Sequence, residues 1–81
     1  ADIARVAEKV GGVQSVHAVR TRGTEAEVYC DLHVLVDPQM TVLAAHDLGD
    51  KVEGVVAAAF PQIKEVLVHI EPDTAAERAE G

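Results

Sequence analysis

Ala26-Glu27-Val28-Tyr29-Cys30-Asp31-Leu32-His33-Val34-Leu35-Val36-Asp37 alternates along its whole length. In an extended chain, Val28, Cys30, Leu32, Val34 and Val36 fall on one side, and Glu27, Tyr29, Asp31, His33 and Leu35 on the other. A period of two with one apolar side defines a half-buried strand. Upstream, Gly23-Thr24 reads as a turn and Val13 to Arg22 as a second strand, so the two form a hairpin. Before them, Ile3, Val6, Ala7 and Val10 share one helix face, which Gly11-Gly12 stops. Downstream, Asp37-Pro38 ends the strand and Thr41 can cap a helix running to about Ala59. Leu48, Val52, Val55, Val56 and Ala59 are its expected core face, and Phe60-Pro61 closes it. Lys64 to Glu71 alternates again, with Val66, Val68 and Ile70 opposite Glu65, Leu67, His69 and Glu71.

The order is helix, strand, strand, helix, strand. A hairpin followed by a crossover helix and a third strand predicts an open α+β sandwich. Its helices cover one sheet face, and the face carrying Asp31, His33, His69 and Glu71 is left free. Residues 1–72 form the domain. Residues 73–81, polar and Ala-rich, are expected as a flexible C-terminal tail, frayed or briefly helical. The helical pattern at the first residues is expected of a piece of a longer chain.

A net charge of −7 over 81 residues argues against nucleic acid, whose phosphates need basic patches. The only basic cluster is Arg20 with Arg22, and the only aromatics are Tyr29 and Phe60. Cys30 is alone, so no disulfide forms within the chain. The apolar run Val55 to Phe60 is too short to span a bilayer, so this stretch is not expected to insert into a membrane. No nucleophile stands beside a base, apart from the weak Ser15 and His17 pair, so no enzyme activity is expected.

Four histidines, at 17, 33, 46 and 69, fall in four different elements. Neutral imidazole is the commonest metal ligand. Asp31 and His33 lie on one side of a strand, as do His69 and Glu71, while His46 and Asp50 share a helix face. Imidazole with carboxylate suits zinc and other first-row divalent ions, and the lack of a cysteine pair argues against closed structural zinc and copper(I) sites. Plain alternatives stand beside this reading. His33, flanked by Leu32 and Val34, fits a hydrogen-bonded strand histidine equally well. His69 and Glu71 fit a cross-strand ion pair, and Asp50 and Glu53 fit a solvated helix face.

His17-Ala18-Val19-Arg20-Thr21-Arg22, Asp31-Leu32-His33-Val34, Ala45-His46-Asp47, Phe60-Pro61 and Val68-His69-Ile70-Glu71-Pro72 follow one another in this order. Together they resemble the cytoplasmic C-terminal domain of cation diffusion facilitator transporters, across about residues 3 to 72. The resemblance implies a metallochaperone-like, ferredoxin-like α-β-β-α-β fold and a V-shaped homodimer beneath a transmembrane domain. It implies a cytoplasmic regulatory domain of a divalent-cation efflux transporter, tightened by cations at the dimer interface. The cation is expected to be zinc, or else iron, manganese, cobalt, nickel or cadmium. Its zinc-type ligands fall on His17, His33, His46, His69 and Glu71, where Glu71 replaces an aspartate. Magnetosome-associated members place an aspartate where Asp31 stands and an aromatic residue near Tyr29.

The expected metal-binding residues are therefore His17, Asp31, His33, His46, His69 and Glu71. The main rival is a metal-independent dimerisation domain of the same kind of transporter. A small-molecule regulatory module would need a Gly-rich loop between strand and helix, and Gly11-Gly12 precedes a strand. A soluble metallochaperone would need a Cys-x-x-Cys loop, which is absent.

Overall fold

The computed structural model describes the backbone of residues 2–80 and the side chains of residues 2–77. The alternating stretch becomes β2 (Val28–Val36), the central strand of a three-stranded sheet ordered β1-β2-β3. β1 (Ser15–Gly23) runs antiparallel to it and β3 (Ile63–Pro72) parallel. Parallel neighbours need a long crossover, which α2 (Val42–Ala59) provides. With α1 (Asp2–Glu8) in front, the arrangement is the predicted α-β-β-α-β sandwich.

The core forms where the apolar side of β2 meets the helices. Cys30, Leu32, Val34 and Val36 pack with Ala7, Val10, Leu48, Val52 and Val56. Leu48, Val52 and Val56 recur every four residues, one stripe of a helix. Val55 and Ala59, expected on that stripe, point outward. Each is displaced around the helix from the 48–52–56 line, and three strands leave no second surface for them to cover. Thr41 caps α2 as expected, accepting from the Ala44 N–H at 3.0 Å.

The hairpin turn depends on Gly23, whose φ is +115°. A Cβ there would collide with the Glu27 carbonyl oxygen, so no other residue fits without rebuilding the turn. Thr24 N–H donates to the Glu27 carbonyl at 3.0 Å, and Glu27 N–H to Thr24 Oγ1 at 3.2 Å.

β1 carries an irregularity that simple alternation does not predict. His17 pairs with His33, but the next partner of β2 in register is Arg20 against Asp31. One extra residue is accommodated around Ala18, whose φ is +54°, which is a β-bulge. Before it, Ser15 and His17 share the face of His33. After it, Arg20 and Arg22 take that face, opposite Asp31 and Tyr29.

The chain past Pro72 is not a bare tail. Thr74 accepts from the Glu77 N–H at 3.3 Å and caps α3 (Ala75–Glu80). Thr74-Ala75-Ala76-Glu77 has capping-box spacing, which gives a local reason for this helix.

Candidate metal centre

The register turns three distant histidines into one row across the sheet. His17 on β1 lies opposite His33 on β2, which lies beside His69 on β3. The ring centres of His17 and His33 are 5.4 Å apart, edge to face, and those of His33 and His69 are 4.8 Å apart. One step along, Glu71 projects on the same side as His69 and leans back over the row. Its Oε1 is 3.1 Å from His33 Nδ1 and 3.7 Å from His17 Nε2. With its proton on Nδ1, His33 donates to Glu71 and leaves the Nε2 lone pair available.

His17, His33 and Glu71 thus bring three potential ligand atoms within 4.8 Å of one another, all half-buried. Both ring nitrogens of His17 are shielded from solvent and have no hydrogen-bond partner. Buried polar atoms are normally satisfied, so a cation bound by His17 would relieve an observed deficit. Zinc binds imidazole nitrogen and carboxylate oxygen at about 2.0–2.2 Å, and donors this close need only small side-chain movements to reach one ion. The donor set fits a divalent cation.

Burial pushes the Glu71 carboxyl upward, but hydrogen bonds with His33 and Glu77 and the nearby His33 and His17 charges outweigh it. The net effect holds Glu71 below the ordinary carboxylate value, keeping it ionised. Cys30 shows the opposite behaviour. Burial, and secondarily the Asp31 charge, raise its thiol pKa, as suits a core residue that is 2% exposed.

The remaining expected ligands lie outside this cluster. His69 is exposed beside His33 and does not join the three-donor group. Asp31 is engaged by Arg22 Nη1 at 3.3 Å. His46 is on α2, with Nε2 3.4 Å from Asp50 Oδ2. His46, Asp47 and Asp50 form a second group of close donors, fully exposed. Sequence reading missed two participants. Glu77 is among the groups that hold the Glu71 carboxyl low, and the capping box was the signal for the helix that carries it. Arg22 reaches Asp31 only because of the bulge, for which Val16 and Val19, three apart where two is regular, were the sole hint.

A sheet of this topology with a histidine–carboxylate row defines a metallochaperone-like domain with a candidate cation site. The family model described as "Cation efflux protein, cytoplasmic domain" matches residues 1–73. The chain belongs to this family of transporter domains. It is 36% identical over 64 residues to Metal tolerance protein C1 of Arabidopsis thaliana, covering 79% of this chain and 14% of that protein. It is 33% identical over 69 residues to Magnetosome protein MamM of Paramagnetospirillum magneticum, covering 85% of this chain and 22% of that protein. The chain therefore spans a small part of the relatives it matches. Among solved structures, a MamM CTD variant described as a manganese form superposes with a TM-score of 0.83 at 30% identity, covering 88% of this chain and 90% of that one. Another, described as a nickel form, gives 0.84 at 29% identity, covering 89% and 91%. Among the described residues, no helix is long and apolar enough to cross a membrane.

Proposed function

We propose that this domain is the cation-responsive regulatory module of a divalent-cation efflux transporter, residues 1–72 forming the working unit. Two copies, held beneath the transmembrane part of the full-length protein, bind a divalent cation at their interface and close more tightly around it. The observation that carries the reading is the convergence of His17, His33 and Glu71 within 4.8 Å. The manganese and nickel forms of the similar MamM domain support divalent cations as the ligand class. Zinc is the first choice here, because two imidazoles and one carboxylate suit it well.

The mechanism is electrostatic. Each chain carries a net charge of −7, so two copies repel where carboxylates approach. Screening confines that repulsion to roughly 8 Å at physiological salt, leaving the interface carboxylates dominant. A divalent ion replaces repulsion by shared coordination and binds the closed pair better than the open one, the differential affinity a ligand-driven shift requires. His69, Asp31 and the His46–Asp50 pair are exposed or half-exposed donors that a second copy can use. Occupancy also stabilises the fold, by about 2.7 kcal/mol at a hundredfold excess over Kd.

The test is calorimetric titration with Zn²⁺, Mn²⁺ and Fe²⁺ at pH 8 and pH 5.5, alongside small-angle scattering. Binding that weakens at the lower pH, because imidazole must be neutral to coordinate, together with metal-induced compaction, is the expected result. Unchanged affinity at both pH values would exclude histidine ligands. The second reading, metal-independent dimerisation, is favoured by Leu67, 48% exposed on the histidine face of β3. Dimers that ignore chelators and metal alike would support it.

A further inference from the structure

Toward the hairpin end of the histidine face, the side chains change from imidazoles to a guanidinium–carboxylate pair. The Gly23 turn, tied by Thr24 and Glu27, fixes the last residues of β1. Register sets Arg20 opposite Asp31 and Arg22 opposite Tyr29. Diagonal cross-strand neighbours lie within reach of long side chains, and Arg22 Nη1 takes that diagonal to Asp31 Oδ2 at 3.3 Å. On its other side Asp31 lies beside Leu67 of β3, which offers no charge. The Asp31 side chain is 22% exposed and that of Arg22 65%, so the carboxylate is the sheltered member of the pair.

Asp31 stands apart from His17, His33 and Glu71, the donors within 4.8 Å of one another. The two places differ in chemistry. Imidazoles suit zinc, whereas a carboxylate that completes its shell with water suits harder ions such as Mn²⁺. A carboxylate oxygen bonded to a guanidinium must release it before it can ligate an ion, and a guanidinium left in place repels that ion. Exposed ion pairs are weak, so this competition tunes cation binding at Asp31 and does not abolish it.

We propose that Arg22 is a specificity-determining residue, a tethered cation that occupies Asp31. It holds oxygen-preferring divalent ions off this end of the face while the histidine row stays open to zinc. Asp31 becomes available to an ion, or to a second copy, only when Arg22 lets go. The cation part rests on the function proposed above, while the pairing itself does not.

The test uses the full 81-residue chain with Arg22→Gln, Asp31→Asn and the two combined. The first arm contains no metal. Urea unfolding should show that the double variant loses less stability than the two single losses added together. Additive losses would overturn the pairing. The second arm follows Mn²⁺ by electron paramagnetic resonance and Zn²⁺ by calorimetry. Arg22→Gln should bind Mn²⁺ about two- to fivefold more tightly, the equivalent of one exposed ion pair. Asp31→Asn in the same chain should remove that gain. Lys64→Gln removes the same charge from a side chain paired with Glu27 instead, and it is expected to give no such gain. Zn²⁺ affinity should move no more in Arg22→Gln than in Lys64→Gln. Arg20 stands ready opposite Asp31, so Arg20→Gln with Arg22→Gln should gain at least as much Mn²⁺ affinity. Unchanged Mn²⁺ binding in both arginine variants, or an equal gain in Lys64→Gln, would overturn the proposal. If no chain bound either ion, the cation reading would fall, while coupled unfolding losses would still support the pairing.

Discussion

Two groups of histidine and acid occupy this domain, and they differ in almost every physical respect. His46, Asp47 and Asp50 are neighbours in sequence on the first turns of α2, and their side chains are open to water. His17, His33 and Glu71 come from three strands and meet only because the sheet brings them together, half-buried. The helical group is available even to a frayed helix, and solvent screens its charges. In the sheet group each ligand atom has already lost part of its hydration, so a cation finds donors whose competing water is partly gone. Local spacing can make a cluster, but only tertiary register makes a preorganised one.

The largest test of this contrast attacks the sheet itself. Leu32 is fully buried behind His33, and Leu32→Ala should cost about 2–5 kcal/mol, the range for large-to-small core changes. Urea unfolding measures it, and a marginal 81-residue domain is expected to lose its sheet site entirely. Next, His33→Ala removes the residue shared by both ring contacts and by the Glu71 bond. It should weaken Zn²⁺ binding by at least about 100-fold, or 2.7 kcal/mol, while His46→Ala costs no more than a few fold. Equal losses in calorimetry would erase the distinction between the groups.

A smaller effect concerns acid. Because the folded Glu71 carboxyl is held below its ordinary value, its contribution to stability is present above the unfolded value of about 4.3. That contribution disappears as pH falls through the lower folded value. The stability difference between the parent and Glu71→Gln should be constant near neutrality and vanish in strong acid, as urea midpoints across pH would record. Smallest is Thr41→Ala, which removes the α2 cap for about 1 kcal/mol. By NMR it should loosen the turn leading to His46 while the shifts of His17 and His33 stay in place.

Much of the architecture was legible because one strand, Val28–Val36, alternates as far as Val34, with only Leu35 apolar and buried on the other face. Its period fixed the two sheet faces, and Thr41, Gly23 and Pro38 marked boundaries by local chemistry. The ligand pairs were legible only as pairs. Two strand residues spaced by two share a face wherever the strand goes, but which pair meets which depends on register, a long-range property. The extra residue at Ala18 was hidden because a bulge breaks periodicity without a dedicated residue type. Glu77 was hidden because its polar, Ala-rich surroundings resemble any solvated terminus, and only the Thr74 cap sets them apart. Val55 and Ala59 misled because an apolar residue on a helix need not find a surface to cover.

The positive φ of Ala18 makes β1 sensitive to substitution by β-branched residues there and tolerant of losing the extra residue. Glycine there would relieve strain, and most of the strand would not register the change. Loss of one residue at Ala18 or Val19 would remove the bulge, and His17 and Arg20, then two apart, would still share the face of His33 and Asp31. A relative with the histidine and the first arginine only two apart should therefore keep the same residues on the same face, in a strand without the bulge.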